Sequence, residues 1–227
     1  MHKEQHFKQS HLIKDIVIGM ADGLTVPFAL AAGLSGAVSQ NSIIITAGIA
    51  EICAGSIAMG LGGYLAGRTE IEHYASELKR EYREVKEFYE KEKEEVREVF
   101  AAYGLSNEVQ NMVADELAKD EHKWVDFMMR FELGLDKPDA KRASKSAMNI
   151  GVAYIVGGII PLSAYFFTDV PQIGLLASCA ITILCLFSFG YLKSKMTGQI
   201  PLMGAFRTTA IGIAAAAAAF GIAQLVS

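Results

Sequence analysis

The chain has 227 residues, of which 52% are hydrophobic and 20% charged, and its formal net charge is −4. A soluble domain spreads its charges along the whole chain, but here nineteen of the 25 acids and twelve of the 21 bases lie between residues 71 and 141. Such a division predicts apolar segments in lipid and a charged segment in water. The absence of a basic stripe with interleaved aromatic residues argues against nucleic acid as a partner.

Five windows are long and apolar enough to cross a bilayer, which takes roughly 20 residues per helix. The three cysteines lie in such runs without metal-finger spacing, so we expect small core residues rather than ligands. The cysteines are Cys53, Cys179 and Cys185, and the predicted spans are residues 13–37, 42–66, 147–167, 172–191 and 202–226.

Basic residues near the ends of the predicted spans indicate the orientation, because cytosolic connections are enriched in Lys and Arg. Every second connection is basic, whereas the turn at residues 38–41 is uncharged and the turn near Asp169 carries only that acid. We therefore expect a cytosolic N-terminus, a cytosolic charged segment and a luminal C-terminus. The basic residues concerned are Lys3, Lys8, Lys14, Arg68, Arg142, Lys145, Lys193, Lys195 and Arg207.

The charged segment has the composition of helices. Residues 69–100 contain no Pro or Gly and many Glu–Lys and Glu–Arg neighbours at helical spacing, which predicts one helix that continues the second span. Gly104 ends it, Ser106 is a good N-cap for a helix over 107–119, and a further helix over 121–133 stops at Gly134.

The predicted fold is therefore an all-α integral membrane protein. Five transmembrane helices carry a three-helix cytosolic domain inserted between the second and the third. The expected boundaries are residues 13–67 for the first two spans, 68–141 for the cytosolic helical domain, and 142–227 for the last three spans.

Two acids lie deep inside predicted spans, Asp22 in the first and Glu51 in the second. An ionised carboxylate at that depth costs about 3 kcal/mol or more, and membrane proteins keep such groups mainly for ion or proton pathways. Pro27, five residues after Asp22, leaves a backbone carbonyl without its helical donor. Met59 stands two turns after Glu51 and offers a thioether, which favours transition metals over magnesium or calcium. Structural hydrogen bonding of the acids, a simple kink at Pro27 and core packing of Met59 are the alternative interpretations.

A second group of acids lies in the charged segment. Glu81 and Glu84 are three residues apart, as are Glu92 and Glu95, and eleven residues separate the pairs, so one continuous helix would place all four on one stripe. The last predicted helix adds methionines beside a carboxylate, again ligands for a metal softer than calcium. A solvated acidic face and ordinary packing are the alternatives. The residues added by that helix are Met128, Met129 and Glu132.

Glu70 and His73 form one Glu-x-x-His pair, of the kind that di-iron helix bundles use twice. A second pair is missing from the sequence, which disfavours a membrane-bound di-iron enzyme. A membrane-tethered scaffold for a protein partner is a further alternative. Phosphate-loop, Gly-x-Ser-x-Gly and zinc-protease motifs are also missing from the sequence, so no enzyme activity is expected.

Several runs resemble the vacuolar iron transporter family, most closely its plant branch. They are ADGLTVPFA at residues 21–29, EICAGSIAMG at 51–60, GGIIPL at 157–162, and GYLK at 190–193 with TG at 197–198. The long charged insert matches family members with a cytosolic metal-binding domain, so the resemblance covers nearly the whole chain.

This resemblance implies a homodimer in the vacuolar membrane that exports Fe²⁺ from the cytosol against protons, along a path at the dimer interface. Asp22, Glu51 and Met59 match the family's transport residues. Its cytosolic metal-binding residues are matched by Glu81, Glu84, Glu92, Glu95, Met128, Met129 and Glu132. The resemblance implies no prosthetic group, and Mn²⁺, Co²⁺, Ni²⁺ or Zn²⁺ can use the same ligands as Fe²⁺.

Overall fold

The computed structural model describes residues 11–226, which form α-helices joined by short connections and no strand. The predicted all-α class is thereby confirmed. Lys3 and Lys8, which contribute to the predicted orientation, lie outside the described residues. The helices are α1 (His11–Ala37), α2 (Asn41–Glu87), α3 (Tyr89–Ala102), α4 (Asn107–Leu117), α5 (Glu121–Phe127), α6 (Arg142–Ser163), α7 (Pro171–Met196) and α8 (Pro201–Val226).

Five of these helices are long and apolar enough to cross a membrane, namely α1, the first part of α2, α6, α7 and α8. This agrees with the five predicted spans. Many of their large apolar side chains are exposed on the protomer, among them Ile57, Leu184 and Phe206. Such a surface suits a lipid environment or contact with another membrane helix. Cys53 is also exposed, so the expectation that it is a core residue was wrong.

The chain divides into two compact units, one comprising the residues up to Leu65 and from Ala143 onward, the other Ala66–Arg142. In the first unit, small residues let helix backbones approach closely. A Cβ atom on Gly157 of α6 would lie 2.9 Å from the backbone nitrogen of Leu24 on α1, and a Cβ atom on Gly60 of α2 would lie 3.1 Å from the carbonyl oxygen of Ala147 on α6. Helix α6 therefore packs closely against both α1 and α2.

In the second unit the helix predicted over 69–100 does not run unbroken. Phe88 leaves the helical conformation with φ −124° and ψ 38°, and it separates α2 from α3. The unit therefore contains the end of α2 and three further helices, and the predicted three-helix arrangement was wrong. The segment lacks Pro and Gly, so the break arises from packing: Val85 before it and Val96 after it belong to one buried cluster.

That buried cluster forms the core of the second unit. It combines apolar side chains from the end of α2, from α3, α4 and α5, and from the segment after α5. Its buried members are Val85, Val96, Ala114, Trp124, Val125, Met128 and Met129.

The helix ends in the second unit mostly follow the prediction. Gly104 and Gly134 have φ values of +78° and +65°, which suit glycine and end their helices. Ser106 is the N-cap residue of α4, although its hydroxyl makes no capping bond there. The last helix differs, because α5 gives way to a π-helical turn over Met128–Glu132, closed by the Leu133 amide donating to the Met128 carbonyl at 3.1 Å.

Candidate transport path and carboxylate cluster

Glu51 lies in the membrane part of α2 and is half-buried. Its Oε1 accepts a hydrogen bond from the hydroxyl of Tyr154 on α6, while its Oε2 is buried without a hydrogen-bond partner in the described structure. Gly55, one turn further along α2, makes room for the tyrosine, since a Cβ atom there would lie 2.6 Å from its Cζ. The carboxylate thus has one oxygen held in place and one oxygen available to a cation or a proton.

Asp22 approaches the same tyrosine from α1. Its neighbour Gly23 packs against the backbone of Tyr154, where a Cβ atom would lie 2.9 Å from the tyrosine Cα, and the charge of Asp22 interacts with the Tyr154 phenol. Pro27 lies inside α1 and has no amide hydrogen, so the Gly23 carbonyl lacks its usual helical donor. One protomer therefore brings Glu51 into contact with the Tyr154 phenol and Asp22 within electrostatic reach of it.

Met59 is half-buried and lies eight residues after Glu51 on α2. Eight helical residues correspond to a rise of about 12 Å along the axis. Met59 and Glu51 of the same protomer therefore stand at different heights along α2.

The carboxylates of the second unit come together across the break at Phe88, not along one stripe. On an unbroken helix Glu81 and Glu95 would be about 21 Å apart. In the structure, however, the charges of Glu95 and Glu132 both act on Glu81, and the charges of Glu81 and Glu95 both act on Glu92. The stripe predicted on one helix was therefore wrong in its geometry. We call the group consisting of Glu81, Glu84, Glu92, Glu95 and Glu132 the carboxylate cluster.

Two members of the carboxylate cluster are almost inaccessible to solvent. Glu81 and Glu92 are 3% and 2% exposed, and the Oε2 atom of each is buried without a hydrogen-bond partner in the described structure. Buried carboxylate oxygens are normally hydrogen-bonded, because stripping one of water is costly. These two orphan oxygens fit a site that takes up protons or a cation.

Burial and mutual repulsion raise the pKa of these acids. Burial is the larger cause for Glu81, followed by the charge of Glu132, and its pKa rises to about 7. Burial and then the charge of Glu95 raise the pKa of Glu92 to about 7. Burial likewise raises the pKa of Glu132. Glu81 and Glu92 therefore exchange protons close to neutral pH.

Glu84 and Glu95 are partly exposed, and each faces a basic side chain. Arg80 Nε lies 3.0 Å and 3.1 Å from the two carboxylate oxygens of Glu84, and Lys91 Nζ lies 2.8 Å from Glu95 Oε1. These bases lie on the helix surface four residues before their partners.

Met128 and Met129 are fully buried in the apolar core of the second unit, and both begin the π-helical turn that ends at Glu132. A π-turn changes the helical register and often occurs at functional sites. The two methionines thus serve as core residues, and they share the π-helical turn with one member of the carboxylate cluster.

No group of three or more His, Cys, Asp or Glu side chains within residues 11–226 stands ready-made to hold a metal ion. The donor set is nevertheless of the right chemistry, since carboxylates with orphan oxygens and thioethers suit a divalent transition metal. Binding at the carboxylate cluster would require its side chains to close around the ion.

Two polar residues escaped the sequence analysis. Tyr154 lies in an apolar span where its hydroxyl needs a partner, a recognisable signal, but the sequence does not reveal that the partner is Glu51. Asp15 on α1 is buried and accepts hydrogen bonds from Ser146 Oγ at 3.0 Å and Asn149 Nδ2 at 3.3 Å on α6.

Comparison with known proteins agrees with these features. The model of the VIT family matches residues 13–224. The protein named Vacuolar iron transporter 1 of Tulipa gesneriana is 50% identical over 225 residues, covering 99% of this chain and 91% of that protein. The protein named Vacuolar iron transporter 1 of Arabidopsis thaliana is 52% identical over 225 residues, which cover 99% of this chain and 90% of that protein. Protein CCC1 of Saccharomyces cerevisiae is 39% identical over 191 residues, which cover 82% of this chain and 58% of that protein. The chain therefore belongs to the VIT family.

Proposed function

We propose that this protein transports ferrous iron from the cytosol into the vacuole, as an Fe²⁺/H⁺ antiporter whose path lies at a homodimer interface. The observation that carries the proposal is the carboxylate of Glu51, with one oxygen held by Tyr154 and the other buried without a partner, beside Asp22. The relatives named vacuolar iron transporters support iron as the cargo and the vacuole as the destination. A protein of this kind moves its substrate without a chemical reaction, so it is a transporter and not an enzyme.

Exchange follows from the energetics of acids in an apolar surrounding. An ionised carboxylate without a partner is energetically costly there, so Asp22 and Glu51 each either bind a proton or coordinate a metal ion. In a homodimer both acids and Met59 occur twice, which doubles the ligands around a central path. Protons from an acidic lumen then displace Fe²⁺ on that side, and loss of protons to the cytosol prepares the acids for the next ion.

The second unit serves this transport as a cytosolic collector of Fe²⁺. Its carboxylate cluster, assisted by Met128 and Met129, gathers scarce ions from the cytosol. Residues 68–141 form this metal-binding domain, the N-terminus also lies in the cytosol, and the C-terminus lies in the lumen. The basic residues at alternate connections, such as Lys14, Arg68 and Lys195, support that orientation.

The test is metal uptake by proteoliposomes with an acidic interior. We would compare Fe²⁺, Mn²⁺ and Ca²⁺, with and without the pH gradient, for the native protein and for Asp22→Ala and Glu51→Ala. Uptake of Fe²⁺ that requires the gradient and both acids is the expected result. Gradient-independent uptake, or normal uptake by Asp22→Ala, would refute the exchange mechanism, and selective Mn²⁺ uptake would reassign the cargo.

A further inference from the structure

We propose that Arg80 and Lys91 are exchangeable counter-ions of the carboxylate cluster, which a divalent metal ion displaces and whose positive charge weakens metal binding there. The inference rests on the proposed metal-binding function of the cluster. It assigns a role to two bases that are not themselves ligands.

The geometry of the two ion pairs is the first argument. Arg80 spans both oxygens of Glu84, and Lys91 contacts one oxygen of Glu95, so each base occupies the atoms that a metal ion would need. In both pairs the base precedes the acid by four residues. That order stabilises a helix less than the reverse order does, so helix stability alone gives little reason for these pairs.

The reach of the two charges is the second argument. Arg80 acts on Glu81 and Glu132 as well as on Glu84, and Lys91 acts on Glu92 and Glu132 as well as on Glu95. Each base therefore offsets part of the mutual repulsion within the cluster. The same charge must repel an approaching divalent cation.

The neighbouring bases provide a contrast. Arg83 faces Glu87, Lys93 pairs with Asp115 and Arg97 pairs with Glu94, and none of these acids belongs to the carboxylate cluster. The bases that face the cluster on α2 and α3 are Arg80 and Lys91.

Displacement is easy because the bases are the exposed partners. The side chains of Arg80 and Lys91 are 56% and 71% exposed, whereas those of Glu84 and Glu95 are 18% and 23% exposed. Exposed ion pairs contribute little net free energy, and both bases can swing into water without losing a buried contact. A metal ion can therefore take over the carboxylates while the bases regain hydration.

The experiment measures Mn²⁺ binding to the full chain in detergent, with free Mn²⁺ followed by its paramagnetic resonance signal. All variants are made in an Asp22→Ala, Glu51→Ala background, so that the membrane acids do not contribute. We expect Arg80→Gln and Lys91→Gln each to tighten Mn²⁺ binding about fivefold, with a smaller gain at high salt. Arg80→Lys and Lys91→Arg, which keep the charge, should bind as the parent does, and so should the matched control Arg83→Gln.

Unchanged or weaker binding by both Arg80→Gln and Lys91→Gln would overturn the inference, since the bases would then be irrelevant to metal binding or would hold the ligands in place. Glu92→Gln separates this outcome from failure of the proposed function. If Glu92→Gln does not weaken binding, the carboxylate cluster is not the metal site. If it does while the two charge-removing variants show no gain, only the counter-ion inference fails. Unfolding temperatures of all variants verify that each remains folded.

Discussion

The hydroxyl of Tyr154 on α6 holds one oxygen of Glu51 on α2, and this bond links two membrane helices at the candidate path. We expect Tyr154→Phe to lower Fe²⁺ transport at least about fivefold, because a hydrogen bond to a charged group is worth about 1.5–3 kcal/mol. Initial uptake rates in proteoliposomes measure the effect. Tyr165→Phe is the matched control, since that tyrosine bonds Ser35 at 2.9 Å instead of a candidate path acid and should leave the rate unchanged. Equal rates for Tyr154→Phe and the native protein would remove Tyr154 from the path.

The raised pKa of Glu81 makes the stability of the second unit depend on pH. Its folded-state pKa of about 7 lies above the ordinary 4.5, so the unfolded chain ionises first as the pH rises. The stabilising contribution is complete below about pH 4.5 and is lost as the pH rises to about 7. Glu81→Gln should therefore be more stable relative to the native protein at pH 7 than at pH 5.

Trp124 provides the measurement, because it is the one tryptophan of the chain and lies in the core of the second unit. Its fluorescence during thermal unfolding reports on that unit. The exposed Glu98 supplies a control through Glu98→Gln, whose difference from the native protein should not vary over the same pH range. A Glu81→Gln difference that is constant with pH would contradict the predicted shift.

Metal ions should restore the stability that the carboxylate cluster loses near neutral pH. A ligand that binds only the folded state raises the unfolding temperature, and protons compete with it for the carboxylates. We expect Mn²⁺ to raise the unfolding temperature of the second unit more at pH 7.5 than at pH 5, and Glu92→Gln to remove most of the increase. A shift that is equal at both pH values, or that persists in Glu92→Gln, would speak against binding at the cluster.

Asp15 is expected to matter for the stability of the membrane unit. Its buried carboxylate accepts hydrogen bonds from Ser146 and Asn149, so Asp15→Ala leaves both donors without that acceptor. The expected loss is about 2–3 kcal/mol, seen as a lower unfolding temperature in detergent. Ser188→Ala is the comparison, because the exposed Ser188 bonds only its own helix at the Leu184 carbonyl and should change little.

Close helix contact leads to opposite effects at two glycines. Gly157→Ala would force a methyl group to within 2.9 Å of the Leu24 nitrogen and should destabilise the membrane unit by about 1–3 kcal/mol. No atom of the described structure lies within 4 Å of the corresponding methyl position at Gly62, so Gly62→Ala should be neutral or slightly stabilising. Thermal unfolding of the two variants side by side checks this, and equal losses would contradict the close packing.

The apolar windows predicted the five membrane helices well because length and hydropathy suffice to recognise a span. Asp22 and Glu51 could be recognised from the sequence because they are charged residues within apolar spans. Their common interaction with Tyr154, a hydrogen bond for Glu51 and an electrostatic effect for Asp22, could not be predicted, because it depends on how α1, α2 and α6 pack.

The charged segment was harder to predict. Its helical content and its stops at Gly104 and Gly134 follow from composition. The break at Phe88 does not, since the segment around it contains neither Pro nor Gly. Only the shared core of Val85 and Val96 explains it. The two pairs of glutamates lie close together, as predicted. They do so because the chain breaks at Phe88, and not because of the periodicity of one helix.

Phe88 also determines how wide the carboxylate cluster is. Glu81 and Glu84 precede this residue and Glu92 and Glu95 follow it, so a rotation about its two backbone bonds moves one pair of acids relative to the other as a rigid set. Val85 and Val96 hold the segments on either side of Phe88 in one core. The spacing between the two pairs of acids is therefore set by apolar residues that carry no charge themselves.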